Sequence, residues 1–204
     1  MSSSSAVRTR LESMTVQLGD RPKSRKIPMR MTVRLTGTAM LAALVMVFDY
    51  GLKLSGLRIP FPWLPFLKFD FTGVPITLSL LLYGLASGTT TSIVALVGIF
   101  ARSGDVVGAA MKAIAEFATV LGMAVGLRFS GRWVKSLSMF IGIILRLVAT
   151  TISNLLVLPV YYGMSNSVVI GLLPMIGAFN IVQGIISVFL GYLLYEGYVK
   201  RIRG

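Results

Sequence analysis

The chain has 204 residues, of which 55% are hydrophobic and only 13% are charged, and its mean hydropathy is +0.81. This balance excludes an ordinary soluble domain and indicates an integral membrane protein. The chain has no Cys and no His, which excludes disulfides, thiolate catalysis and imidazole metal ligands. The formal net charge of +13 does not indicate nucleic-acid binding, because the basic residues lie at the ends of apolar segments.

Residues 1–28 are polar, Ser-rich and basic, and they lack the continuous apolar run of a secretory signal. We interpret them as a cytoplasmic tail that is either flexible or lies as an amphipathic helix on the membrane surface. Residues 29–204 are then predicted to form a single membrane domain with no soluble module.

The apolar runs predict an all-α bundle of six transmembrane helices at residues 32–48, 72–86, 88–102, 106–128, 137–160 and 170–195. The second and third spans are shorter than the ~20 residues that cross a bilayer core. We therefore expect them to tilt little, to thin the bilayer or to pack inside the bundle. Basic residues are concentrated at the two termini and between spans four and five, which predicts that both termini are cytoplasmic (N-in, C-in).

Span one contains the stretch "GTAMLAA", in which Ala39 and Ala43 are four residues apart. Small residues at this spacing allow another helix to approach closely. The pattern indicates helix packing at this face and does not identify the partner.

The predicted outer loop between spans one and two contains "FPWLPFLKFDFTGVP", residues 61–75. Pro60, Pro62 and Pro65 restrict φ and remove N–H donors, so we expect a rigid, extended or turned segment and no continuous helix. Such a segment survives near a bilayer when it is buried in protein or lines a wet cavity. It is either the wall or lid of a site, or an aromatic anchor at headgroup depth.

Three ionisable residues fall inside predicted spans, where charges are costly. Lys112 and Glu116 are four residues apart in span four, and we predict that they form an ion pair with each other unless one of them faces a ligand. Arg146 in span five has no acidic residue on its own helix. It must find a partner across the bundle, a carbonyl group or water.

Asn154 in span five and the pair Asn180 and Gln183 in span six are uncharged polar residues within apolar helices. Their carboxamides match the edge of a heterocycle that both donates and accepts hydrogen bonds. The alternative for each of them is a hydrogen bond between helices.

Catalysis is poorly supported, because the acidic residues beyond the tail are scattered and the chain has no activated nucleophile or metal motif. The chain also lacks a phosphate-binding GxxxxGK[ST] loop, so energy from nucleotide hydrolysis must come from another polypeptide. A small membrane enzyme remains the competing class, and it predicts turnover by the isolated chain.

Four stretches together resemble the substrate-binding S components of energy-coupling-factor (ECF) vitamin transporters. They are "FLKFDFTGVPITLSLLLYGLASG", "GDVVGAAMKAIAEFATVLGMAVGL", "SNLLVLPVYYG" and "LLPMIGAFNIVQGIISVFL". Their order and spacing over residues 32–195 resemble the riboflavin-specific branch of that family.

The resemblance implies a six-helix, multi-pass protein of a prokaryotic plasma membrane that captures riboflavin from the outer side. It implies partnership with a transmembrane coupling subunit and two cytoplasmic ATPases, with no cofactor, since the flavin is the transported substrate. The implied substrate-binding residues are Leu67, Phe69, Asp70, Phe71, Asn154, Asn180 and Gln183. Ala39 and Ala43 are implied to face the coupling subunit.

The chain departs from that branch at Gln183, where the family pattern has Asn-x-x-Lys and this sequence has Asn180-x-x-Gln183. Riboflavin is uncharged at neutral pH, so a Gln can still form hydrogen bonds with it. S components for thiamine, folate or another vitamin, or for flavin mononucleotide (FMN), are the alternatives within the class. The outer cations Lys53, Arg58, Lys68 and Arg102 can meet a phosphate, but we expect them to be exposed to solvent.

Overall fold

The computed structural model describes residues 31–56 and 58–203, with side chains through Arg201, so the predicted tail of residues 1–28 lies outside the described residues. Six helices and a short antiparallel hairpin make up this part of the chain. In chain order they are α1 (Met31–Leu54), β1 (Pro60–Phe61), β2 (Leu64–Lys68), α2 (Gly73–Tyr83), α3 (Leu85–Ser103), α4 (Val106–Gly126), α5 (Val134–Tyr162) and α6 (Asn166–Arg203).

Each of the six predicted spans corresponds to one helix, although the lengths differ from the prediction. Within the described residues, five helices (α1 and α3 to α6) are long and apolar enough to cross a membrane. α2 has 11 residues, about 17 Å at 1.5 Å per residue, and cannot cross a core of about 30 Å. Its first five residues are buried, so α2 packs inside the bundle, as one of the three alternatives expected.

Glycine and proline residues explain where several helices end or bend. Gly84, with φ of 92°, separates α2 from α3, and Gly104, with φ of 67°, ends α3. The Asp105 side chain then accepts a hydrogen bond from the Gly108 N–H at 2.9 Å and caps the start of α4. α5 and α6 each contain an internal proline, Pro159 and Pro174.

The closest helix contact joins α4 to α5 through small residues. A Cβ atom added to Gly122 would lie 2.6 Å from the Ile141 carbonyl oxygen, and one added to Gly126 would lie 2.3 Å from the Ser138 Cα atom. The two backbones therefore touch without an intervening side chain. This seam holds α4 and α5 in close backbone contact.

The hydrophobic core of the bundle lies where α1 to α4 and α6 meet. Its buried members are Val45, Ile76, Leu80, Ala95, Val120, Met123, Val188 and Tyr192. Many large apolar side chains on the outer helix faces are exposed, including Val97, Phe140 and Leu156, as expected for helices that lie in lipid.

The proline-rich segment between α1 and α2 is a β-hairpin, which confirms the prediction of an extended, turned segment. Pro60 pairs with Lys68 and Phe61 pairs with Leu64, and the Phe69 N–H donates to the Ile59 carbonyl at 2.8 Å. We call the end of the bundle that carries this hairpin the hairpin end. The ends of α1 and α3 and the starts of α2, α4 and α6 lie there.

Candidate functional site

The hairpin is two-sided. Phe61 and Leu64 are buried against the bundle, whereas Trp63 and Phe66 are 67% and 66% exposed. One face of the hairpin therefore closes over the helices, and the other carries the aromatic side chains typical of a membrane interface. Of the two alternatives left open by the sequence, a site wall would use the buried face of the hairpin and a membrane anchor would use the exposed face.

Aromatic rings from the hairpin and α6 form one cluster beneath the buried face. The Phe69 and Phe179 centroids are 5.0 Å apart with the ring planes tilted by 32°, and Phe61 lies edge-on to both at 5.9 and 5.6 Å. Ile176 of α6 is buried in this cluster and Leu158 of α5 packs against it. The cluster is an apolar platform between the hairpin, α5 and α6.

Asp70 lies in the connection between the hairpin and α2, outside the spanning helices, and is 7% exposed. Its Oδ1 accepts hydrogen bonds from the Thr72 hydroxyl at 2.7 Å and the Thr72 N–H at 3.1 Å, and its Oδ2 forms an ion pair with Lys112 of α4. Burial raises the pKa of Asp70, but the Lys112 ammonium and the bonds from Thr72 outweigh burial and hold the pKa below its ordinary value. Asp70 is therefore an ionised acceptor that fastens the loop to α4.

Gln183 of α6 binds the backbone of the same residue from the other side. Its Nε2 donates to the Asp70 carbonyl at 2.8 Å, and its Oε1 accepts from the Asp70 N–H at 3.3 Å. Nε2 also lies 3.5 Å from the Ser187 hydroxyl. The carboxamide, 3% exposed, is occupied by the hairpin connection.

Asn154 and Asn180 are arranged differently from Gln183. Each donates its Nδ2 to the backbone carbonyl one turn earlier on its own helix, at 2.7 Å to Thr150 and 2.9 Å to Ile176. Because a carbonyl needs a donor, each NH₂ group faces its own helix and each Oδ1 points away from that bond. Within the described part of the chain, neither Oδ1 accepts a hydrogen bond.

These two side chains lie at the same depth of the bundle. Leu158 and Ile176 both pack in the aromatic cluster; Asn154 is one turn before Leu158 and Asn180 one turn after Ile176. Since Asn180 also directly follows Phe179, both carboxamides lie beside the aromatic cluster. The candidate site thus combines an aromatic roof with two carboxamide oxygens next to it.

The predicted ion pair between Lys112 and Glu116 is wrong. Lys112 pairs with Asp70, and Glu116 pairs with Arg146 of α5, whose Nη1 lies 3.0 Å from Glu116 Oε1 and 3.3 Å from the Thr119 hydroxyl. Glu116 and Arg146 are 1% and 3% exposed. Partners on other elements were available, namely Asp70 in the hairpin connection and Arg146 on α5, so the two charges join elements rather than neutralise each other within α4. Of the three alternatives expected for Arg146, the structure shows the partner across the bundle.

Two of the outer cations are also not exposed as predicted. Arg58 and Arg102 both form ion pairs with Asp49, a buried residue near the end of α1, and Arg102 Nε lies 2.5 Å from Asp49 Oδ2. The Arg58 and Arg102 side chains are only 20% and 11% exposed. The buried Asp49 carboxylate requires compensating cations. The sequence did not predict these ion pairs because the partners are separated along the chain.

The remaining predicted site residues lie at the margins of the cluster. Leu67 is half-buried against it, whereas Phe71 is 40% exposed beside Asp70. Ala39 and Ala43 lie on the exposed face of α1, opposite the buried residues Ala42 and Val45. The structure therefore brings Asp70 and Gln183 into direct contact and places Asn154 and Asn180 next to the aromatic cluster that contains Phe69.

Sequence reasoning missed Phe179, which supplies the ring that faces Phe69. A signal was present, since Phe179 lies three residues after Ile176 and four before Gln183 and so shares their helix face. An apolar residue in an apolar helix carries no chemical mark of function. Its role follows only from its contacts with the hairpin in the folded structure.

An open groove of about 420 Å³ lies between α4 and α5, away from the aromatic cluster. Its lining is almost wholly apolar and includes Val107, Met111, Leu156 and Val160. None of the predicted site residues line it. With so little polarity, this groove has nothing to orient a polar solute.

Together, the fold and the site define a membrane-embedded binding protein without an energy-converting motif of its own. The family model "ECF transporter, substrate-specific component" matches residues 33–195. The chain belongs to this family, whose members are substrate-binding transporter subunits rather than enzymes and work with a transmembrane and ATPase module. It is a multi-pass membrane protein.

Among solved structures, the chain is similar to the S component of a bacterial ECF transporter, with a TM-score of 0.71 and 27% identity. The match covers 86% of this chain and 100% of the other. A search of curated proteins found no match.

Proposed function

We propose that this S component binds riboflavin beneath the hairpin and delivers it for uptake. The observation that carries the proposal is that, within the described residues, each buried or half-buried charge beside the candidate site has a partner in the protein. Asp70 pairs with Lys112, and Glu116 pairs with Arg146. What remains for a ligand is aromatic surface and the carboxamide oxygens of Asn154 and Asn180.

Aromatic surface and uncharged acceptor oxygens favour an uncharged, flat heterocycle as the ligand. The Phe69 and Phe179 rings suit the isoalloxazine system, and the Asn oxygens suit donors on its polar edge or on the ribityl chain. Thiamine is a cation and folate an anion, so each needs an unpaired charge of the opposite sign. FMN needs free cations inside the site for its phosphate, but Arg58 and Arg102 are already paired with Asp49, and Lys53 and Lys68 are exposed at the surface.

For transport we propose a coupling subunit and two ATPases as partners, with the exposed face of α1 at Ala39 and Ala43 as the contact with the coupling subunit. We place the hairpin end on the outer side of a prokaryotic plasma membrane, with both termini cytoplasmic. The cations Arg34, Arg128 and Lys200 at the opposite end support this orientation. Because the chain has no Cys, a membrane-impermeant maleimide must label Trp63→Cys in intact cells and Arg132→Cys only after lysis; the reverse pattern contradicts it.

The experiment that tests the substrate is purification from cells without added ligand. We expect a yellow protein whose absorbance is that of a flavin and whose extract contains riboflavin. A colourless protein that also fails to bind added riboflavin contradicts the proposal. Detection of thiamine or folate in the extract assigns the protein to another vitamin.

A further inference from the structure

We infer that Gln183 is a positioning residue, which sets the place of the hairpin over the site and does not itself contact the substrate. Of the three carboxamides of the site, Gln183 binds the protein backbone, whereas Asn154 and Asn180 remain available for the substrate. The inference rests on the proposed location of the substrate beneath the hairpin. Its first test, however, is independent of any ligand.

The hydrogen-bonding groups of Gln183 all have partners within the protein. A carboxamide has two N–H donors and one carbonyl acceptor. Nε2 is within bonding distance of the Asp70 carbonyl and the Ser187 hydroxyl, and Oε1 accepts from the Asp70 N–H. Both donors and the acceptor are therefore committed within the protein. Asn154 and Asn180, by contrast, leave an oxygen free.

Gln183 acts on the backbone of the connection from the hairpin to α2. It binds both backbone polar groups of Asp70, which lies between Phe69 and Phe71 in the connection from the hairpin to α2. This is the bonding pattern that a neighbouring strand would supply to an extended residue. Gln183 thus fixes the backbone from which Phe69 projects into the aromatic cluster.

Gln183 belongs to a wider contact between this connection and the helices. Lys112 of α4 holds the Asp70 carboxylate while Gln183 of α6 holds its backbone. One turn further along α6, Ser187 lies against Gly73 so closely that an added Cβ atom would lie 2.2 Å from its hydroxyl oxygen. The start of α2 is therefore seated on α6, with Gln183 as the polar part of the contact.

The ligand-free test is hydrogen exchange in the purified full-length protein carrying Gln183→Met. Methionine keeps the side-chain length and removes the three hydrogen bonds. We expect exchange of the amides in residues 69–72 to accelerate at least about tenfold, since the Asp70 N–H loses its acceptor. Val182→Ala, on the neighbouring exposed position, is the matched control and must leave that exchange unchanged. Exchange in Gln183→Met equal to that of the control overturns the inference.

The second test separates positioning from ligand contact. Riboflavin and lumiflavin share the isoalloxazine ring, but lumiflavin lacks the ribityl chain. We expect Gln183→Met to weaken binding of both by the same factor, about tenfold or more, because the displaced roof serves both. A loss confined to one of the two flavins makes Gln183 a contact residue and overturns the inference. If the unmodified protein binds neither flavin, the proposed substrate fails while the exchange test still decides the role of Gln183.

A conservative variant tests whether general misfolding explains the loss of binding. When protonated, the carboxyl of the Gln183→Glu variant both donates and accepts, as the carboxamide does. We expect its affinity for flavin to recover as the pH falls and this carboxyl becomes neutral, whereas Gln183→Met shows no recovery. Asp70 and Lys112 face position 183 in both variants, so their titration cancels in the comparison. Equal pH profiles for the two variants contradict the positioning role.

Discussion

At the scale of single residues, the free oxygens of Asn154 and Asn180 are the most specific chemistry that the site offers. We predict that Asn154→Ala or Asn180→Ala weakens riboflavin binding by about 1–3 kcal/mol, because a buried ligand donor loses its acceptor. Titration of each variant by flavin fluorescence measures this. Ile152→Ala, on the exposed face of α5, is the control. Unchanged affinity in both Asn variants assigns these residues to packing.

The pair formed by Glu116 and Arg146 allows a second residue-scale prediction. Arg146→Met removes the partner of a carboxylate that is 1% exposed, so we expect a loss of about 3–5 kcal/mol in stability. The double variant Glu116→Gln with Arg146→Met has no buried charge and must recover most of that loss. Unfolding in detergent measures both. A double variant no more stable than Arg146→Met alone contradicts the role of the pair.

The residue scale also shows where prediction from the sequence reached its limit. The sequence identified Lys112, Glu116 and Arg146 as costly residues that need partners, but it paired Lys112 with Glu116. Spacing along a helix reveals which side chains share a face and not which facing helix competes for them. The partners of Lys112 and Glu116 are 42 and 30 positions away in the chain.

At the scale of elements, the seam between α4 and α5 sets the frame on which Lys112 and Asn154 are held. Gly122→Ala would place a methyl group 2.6 Å from the Ile141 carbonyl oxygen and 2.8 Å from the Gly142 Cα atom. Since both are backbone atoms, the helices must separate, and we expect a loss of about 1–3 kcal/mol in stability.

A matched control is available for this prediction. Gly171 of α6 has no atom within 4 Å of an added Cβ, so Gly171→Ala must be neutral or slightly stabilising through its better helix propensity. Thermal unfolding of the two variants gives the comparison. Equal stability of both variants contradicts close backbone packing at the seam.

The helices were largely predictable because each is an apolar run interrupted by Gly or Pro, and the non-helical character of the hairpin followed from its prolines. The seating of the hairpin was not predictable. It depends on contacts such as that between Asp70 and Gln183, which are 113 positions apart. The short α2 has the composition of a membrane helix, but Gly84 ends it after 11 residues.

At the scale of the whole molecule, the proposed binding site and the proposed partner contact occupy separate surfaces. The candidate site lies between the hairpin, α4, α5 and α6, whereas Ala39 and Ala43 lie on the exposed face of α1. We predict that Ala39→Leu leaves riboflavin binding intact and impairs uptake in cells that contain the coupling and ATPase subunits, because the larger side chain blocks close helix approach. Val97→Leu, on the exposed face of α3, is the control. Loss of binding in Ala39→Leu contradicts the assignment of this face.

The most direct measurement of the central claim is an equilibrium titration of ligand-depleted protein with riboflavin, followed by quenching of flavin fluorescence. The pairing of the buried charges beside the site predicts saturable binding of one riboflavin per chain that neither thiamine nor folate displaces. Absence of saturable binding, or displacement of the flavin by either charged vitamin, contradicts it.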